Sequence, residues 1–282
     1  MPLSILVPLL LQVGLGGALP QAPLQIPRKK KDAAVAKAAI ADPFEAHLRE
    51  CLDLAMARPA DGIEVAQNWL AAAKTMRERA GAKQCQAMAL TRIEGWDEAA
   101  TLFLSAREDT PVTDLGERAR LGALGGNAHL AAGDASAALI ALDVAKGDAA
   151  KGSDAKLKAA IAIDRARALV ALNRPDEAAA ALAEARSAAP ANAQAWLLSA
   201  TLSRRQGKLA DAQQQIERAA ELMPVDPEIG LEAGVIAVLA GRDDAARKSW
   251  ESVIRAAPGS DIAKIAQGYL DQLGQTDAPS GR

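Results

Sequence analysis

Aromatic side chains make up only 2% of this 282-residue chain, and 33 Lys and Arg residues do not outnumber 35 Asp and Glu, leaving a net charge of −2. Nucleic-acid binding needs cations for the phosphates and flat side chains for the bases, and both are in short supply. No nucleic-acid partner is expected. The dense basic run, Arg28 to Lys31, reads as a solvated linker, with anionic lipid headgroups as the sharper alternative. Cysteine and histidine number two each. His47 and Cys51 stand one helical turn apart, with Cys85 as a third soft ligand to weigh, but no CxxC and no second histidine at ligand spacing completes a metal site. His129 has no nucleophile or acid partner visible in the sequence and reads as a partly buried packing residue. Gly122, Gly125 and Gly126 follow no strand and precede no Lys-Ser or Lys-Thr, so they form no phosphate loop. The acidic pairs Asp97 and Glu98, Asp176 and Glu177, and Asp243 and Asp244 read as solvated helix starts favoured by the helix dipole. No catalytic constellation, metal or cofactor is expected.

What the chain does have is repetition. Pro190, Pro224 and Pro258 stand 34 residues apart, each followed two residues later by a helix-capping type, in turn Asn192, Asp226 and Ser260. The same step relates Asn173, Gly207 and Gly241, residue types that readily take the left-handed conformation closing a helix. Each unit is therefore a pair of helices. Small residues recur in register at Ala166, Ala200 and Gly234, and at Ala178, Ala212 and Ala246. Large apolar residues, Leu182, Ile216 and Trp250, recur as knobs to fill the space between helices.

These residues resemble the tetratricopeptide repeat, whose signature is a 34-residue period with an early Trp, a mid-unit Gly and Ala, and a terminal Pro. Residues 193–226 match best, with Trp196, Ala200, Gly207, Ala212, Ala219, Leu222 and Pro224; copies at 159–192 and 227–260 flank it, with Ala162 and Gly230 at the Trp position. The resemblance implies an all-α, right-handed α-solenoid of stacked antiparallel helix pairs, about five or six of them, plus a C-terminal capping helix. Counting backwards, Gly126, Gly133, Ala138, Leu142 and Ala145 mark a further pair, with six extra residues assigned to a loop at Gly147 to Asp154. Ala87, Gly95, Trp96, Ala99, Phe103 and Ala106 mark another, with Trp96 in its inter-helix turn. A degenerate first pair starts at Pro43 with Asp42 as its cap. The capping helix spans Asp261 to Leu273, which makes residues 43–273 the repeat domain and 274–282 a tail expected to be disordered.

The N-terminus is uncharged and mostly apolar from Leu3 to Leu19, with a small-x-small pattern at Gly16 and Ala18. Residues 1–18 are expected to be a secretory signal peptide and residues 19–42 a Pro- and Lys-rich linker. This predicts an exported, periplasmic protein. If Met1 to Ala18 is retained, it becomes a membrane tether, and the basic run keeps the chain on the cytoplasmic side. Cys51 and Cys85 are also 34 residues apart, which a solenoid would set at similar heights on adjacent first helices. A disulfide is one reading, suited to an oxidising compartment; two reduced core cysteines are the other.

With no enzyme site in the sequence, function must lie in a surface. The resemblance implies an extended peptide or partner helix bound along the concave face of the first helices. It selects as groove positions Arg92, Arg120, Asn127, Arg167, Gln194, Thr201, Arg204, Arg205, Leu231, Val235 and Val238, with Gln84 and Glu228 beside them. The groove so drawn has five arginines and one acid, which points to a protein partner with an acidic or carboxylate-bearing segment; solvated arginines covering apolar surface with their stems are the alternative. The expected function is a scaffold or adaptor in envelope-protein assembly. The competing classes are a membrane-tethered regulatory scaffold and, less suited to an open groove, an enzyme or small-ligand carrier.

Overall fold

The computed structural model describes residues 42–152 and 154–276. The expected signal peptide, nearly all of the linker and the basic run Arg28 to Lys31 fall outside the described residues. Among the described residues there are thirteen α-helices and no strand. They are α1 (Pro43–Ala57), α2 (Pro59–Ala72), α3 (Met76–Arg92), α4 (Trp96–Asp109), α5 (Leu115–Ala131), α6 (Ala135–Ala150), α7 (Ala155–Ala171), α8 (Pro175–Ala188), α9 (Ala193–Arg205), α10 (Leu209–Leu222), α11 (Pro227–Leu239), α12 (Asp243–Ala256) and α13 (Asp261–Thr276). Each helix packs on the next in sequence, which makes six pairs and a capping helix.

Local chemistry sets the boundaries. The side chains of Asp42, Asp114, Asp134, Asp154, Asn192 and Asp226 accept from backbone N–H groups in the first turns of α1, α5, α6, α7, α9 and α11, and Ser260 does so for α13. Thr75 and Glu78 close a reciprocal capping box on α3. Asn173, Gly207 and Gly241 take positive φ at 55°, 74° and 69°, turning the chain from the first helix of a pair into the second. The acidic pairs at 97–98, 176–177 and 243–244 lie exposed in the first turns of α4, α8 and α12.

Three expectations change. Trp96 is the first residue of α4, with Glu94 taking the positive φ of 61° before it, so the aromatic lies in a helix and not in the turn. The six extra residues before Asn173 are helical: α6 has 16 residues against 14 in α8, and α7 has 17 against 13 in α9. Alanine on both sides of Gly147 carries α6 through to Ala150, because a single exposed glycine costs only about 1 kcal/mol in a helix. Residues 274–276, assigned to the tail, extend α13.

Packing within a pair follows one rule. Large residues on the second helix are set against small ones on the first: Leu142 closes on Gly126 and Trp250 on Gly234, and Phe103 and Ala87, Leu182 and Ala166, and Ile216 and Ala200 share buried clusters at the same spacing. Each of these large side chains is at most 4% exposed. Where the knob is largest, the opposing residue is glycine; a Cβ on Gly234 would sit 2.1 Å from Trp250 Nε1. The buried side chains form a string of local clusters, from α1–α3 through to α11–α13, as expected when each unit packs only on its neighbours.

Candidate interaction surface

First helices of neighbouring pairs touch one another, α1 with α3, α5 with α7, α9 with α11 and α11 with α13, so they share one face of the repeat array. The eleven groove positions all fall on these helices, Arg92 on α3, Arg120 and Asn127 on α5, Arg167 on α7, Gln194, Thr201, Arg204 and Arg205 on α9, and Leu231, Val235 and Val238 on α11.

The structure distributes their charges differently from the sequence reading. Three of the five arginines are held by carboxylates of the chain itself. Arg120 donates to Glu117 at 2.7 Å, Arg167 to Asp164 at 2.7 Å, and Arg204 on α9 crosses to Glu232 on α11 at 2.6 Å. Arg92 and Arg205 have no ion-pair partner among the described residues. The face is therefore not a row of free guanidiniums over a single acid, Glu228. The Glu117–Arg120 and Asp164–Arg167 pairs have the three-residue helical spacing that brings side chains together, a signal present in the sequence. Glu232 is separated from Arg204 by 28 residues and depends on the register of two helices.

Asp164 is the residue of this face that the sequence does not single out. Its side chain is 8% exposed and also accepts from Asn127 Nδ2, on α5, at 2.8 Å. Asn127, Asp164 and Arg167 thus tie two neighbouring pairs together at the middle of the face. Burial pushes the Asp164 carboxyl above its ordinary value of 3.8, against the opposing effects of Asn127 and Arg167. Because the folded state holds this proton more tightly than the unfolded state, stability falls as pH rises from that ordinary value through the raised folded one. Asp164→Asn keeps a hydrogen-bonding side chain and removes the titration. Urea unfolding at a series of pH values is expected to show a flatter profile for the variant across that window; identical slopes would remove Asp164 as the origin.

Two apolar hollows lie on the face. One, of about 200 Å³, is lined by Val170 of α7, Leu198 and Leu202 of α9 and Leu182 of α8, with Arg167, Thr201 and Arg205 at its edge. The other, of about 400 Å³, is lined by Val235, Val238 and Leu239 of α11 with Trp250, Tyr269 and Leu273. Leu239 is 53% exposed.

At the other end, Cys51 on α1 and Cys85 on α3 are bridged, with Cα atoms 5.9 Å apart. His47 stacks on Trp69 with ring centroids 4.2 Å apart, so the three soft ligands considered for a metal are placed in a bridge and an aromatic stack. His129 is half-buried, with Nδ1 lacking a partner among the described residues. None of the described helices is long and apolar enough to cross a membrane.

The helix pairs from α7 to α12 follow the 34-residue step, and residues 163–212 and 197–261 match a tetratricopeptide-repeat family model. Residues 163–261 carry tetratricopeptide repeats. Solved structures with the same architecture include PilW, described as a widely conserved type IV pilus biogenesis factor, at TM-score 0.65 and 14% identity over 79% of this chain and 98% of that one. PilF of Pseudomonas aeruginosa superposes at 0.62 with 14% identity, over 80% of this chain and 97% of the other. BtubC from P. vanneervenii does so at 0.58 with 14% identity, over 86% and 96%. At such identity the likeness establishes the solenoid fold of the tetratricopeptide array and nothing finer. No curated protein matches the sequence significantly.

Proposed function

We propose that this tetratricopeptide array is a non-enzymatic adaptor that takes an extended peptide or partner helix along the face of its first helices, in the assembly of another envelope protein. The observation that carries the reading is the edge of the α7–α9 hollow. There Arg205, exposed and without an ion-pair partner among the described residues, stands beside Val170 and Leu198. A guanidinium next to an apolar hollow fits a ligand that places a carboxylate beside an aliphatic side chain. The hollow at Val235, Val238 and Leu239 would take further aliphatic groups of the same ligand. Arg167 and Arg204, already paired, serve to hold the face together. Export to an oxidising compartment is supported by the buried Cys51–Cys85 bridge and by the leader-like segment Leu3 to Leu19.

The test is cross-linking in the native host followed by affinity capture, with Arg205→Ala and Val238→Asp compared with Arg218→Ala on the second helix α10. Loss of one charge-assisted contact is expected to reduce recovery of a given partner by about tenfold in Arg205→Ala. The same partner should be lost in Val238→Asp and kept in Arg218→Ala. An unchanged partner profile in both face variants would refute the groove.

A further inference from the structure

A pocket of about 530 Å³ opens at the other end of the same face, between α1, α3 and the turn leading into α5. Phe44, Leu48 and Leu52 of α1 supply its apolar wall. Gln84 of α3 lines it as well, although the residue is only 3% exposed, and its side-chain amide has no hydrogen-bond partner among the described residues. The amide atoms are reached from the pocket and are not sealed in the core, so a group that enters the pocket meets a free donor and acceptor.

The charges define what that is. Arg77 donates to Asp42 and Glu45 at 2.6 and 2.8 Å and lies over the Phe44 ring, and Arg120 is held by both oxygens of Glu117. Both guanidiniums of the pocket are therefore already engaged. The carboxylates keep spare capacity: Glu45 gives one oxygen to Arg77, Asp114 uses one to cap α5, and the second oxygen of each has no partner among the described residues. An anion entering here would meet occupied cations and half-free acids.

We infer that the pocket binds a lysine side chain of the peptide that lies in the groove. Its ammonium is met by Glu45 and Asp114, its methylenes lie on Phe44 and Leu48, and the neighbouring peptide amide pairs with Gln84. This rests on the groove reading proposed above and deepens it. The α1–α5 end selects a basic residue while the Arg205 end selects an acidic one, which fixes the direction in which the peptide runs.

The experiment uses the full chain labelled with ¹⁵N and titrated with three blocked amino acids: acetyl-lysine, acetyl-norleucine and acetyl-glutamate N-methylamides. The lysine compound is expected to shift the Gln84 side-chain amide signals and to bind about fivefold more tightly than norleucine, as a partly exposed ion pair would give. Asp114→Asn keeps the helix cap, since both residue types cap well, and is expected to lose that preference. Gln84→Leu should lose the binding without loss of thermal stability. Equal response to lysine and norleucine, tighter binding of glutamate, or Gln84 signals unmoved by all three would overturn the assignment. A separate titration with a peptide bearing a glutamate between leucines reads α7 and α9. If those helices stay silent while the lysine response remains, the groove reading falls and the lysine site stands by itself.

Discussion

Phe103→Ala is expected to destabilise the α3–α5 region by about 3–5 kcal/mol, the range for removing a buried aromatic ring from a packed site. Phe103 is 1% exposed and is the knob of its pair, sharing one buried cluster with Ala87 and Leu121. Because each unit packs only on its neighbours, the loss is expected to be local first. Hydrogen exchange should show protection falling in α3, α4 and α5 while α9 to α12 change little. A uniform loss across all thirteen helices would mean that the array unfolds as one cooperative body.

The second large effect concerns the covalent link. Replacing Cys51 and Cys85 together by alanine is expected to cost about 3–4 kcal/mol in the chain-entropy account, for a loop closed over 34 residues. The first pair is where the tetratricopeptide pattern is weakest. It has no counterpart of the 34-residue prolines, and its two helices meet across the single residue Arg58. Its hold on α3 rests on the bridge, the packing of Phe44 and Trp69 against Gly81 and the ion pairs of Arg77 to Asp42 and Glu45. The ion pairs are exposed and worth little. Selective fraying of α1 and α2 in the double variant, seen as lost exchange protection there alone, is the expected result. Unchanged urea midpoints would show that packing by Trp69 and Ala66 suffices.

Much of the fold was legible in residues whose roles are local. Asn192, Asp226 and Ser260 cap helices because their short side chains reach the next turn, whatever lies around them. Asn173, Gly207 and Gly241 turn the chain because their backbones tolerate positive φ. The knobs Leu182, Ile216 and Trp250 were visible because the repeat sets them opposite small residues. What was not legible depends on contact between units. The extra length before Asn173 looked like a loop from its glycines and lysines, yet alanines at 145, 149 and 150 sustain helix there. The five chosen arginines lie on first helices, but the partners Asp164 and Glu232 become visible only when side-chain registers are known. Gln84 was placed on the face by its repeat position; its burial could not be read from a polar residue type.

The Cys51–Cys85 bridge also governs how the molecule bears a mechanical load. Tension applied between residue 42 and residue 276 passes from α1 to α3 through the bridge, whose Cα atoms are 5.9 Å apart, and bypasses the 33 residues between. At about 3.4 Å per extended residue, roughly 110 Å of contour length is withheld from stretching. Helix α2, which lies wholly inside the closed loop, feels no direct pull. An array drawn from its N-terminal side would yield first at a pair beyond α3, and the length of chain released would be shorter than its residue count predicts until a reductant reaches the bridge.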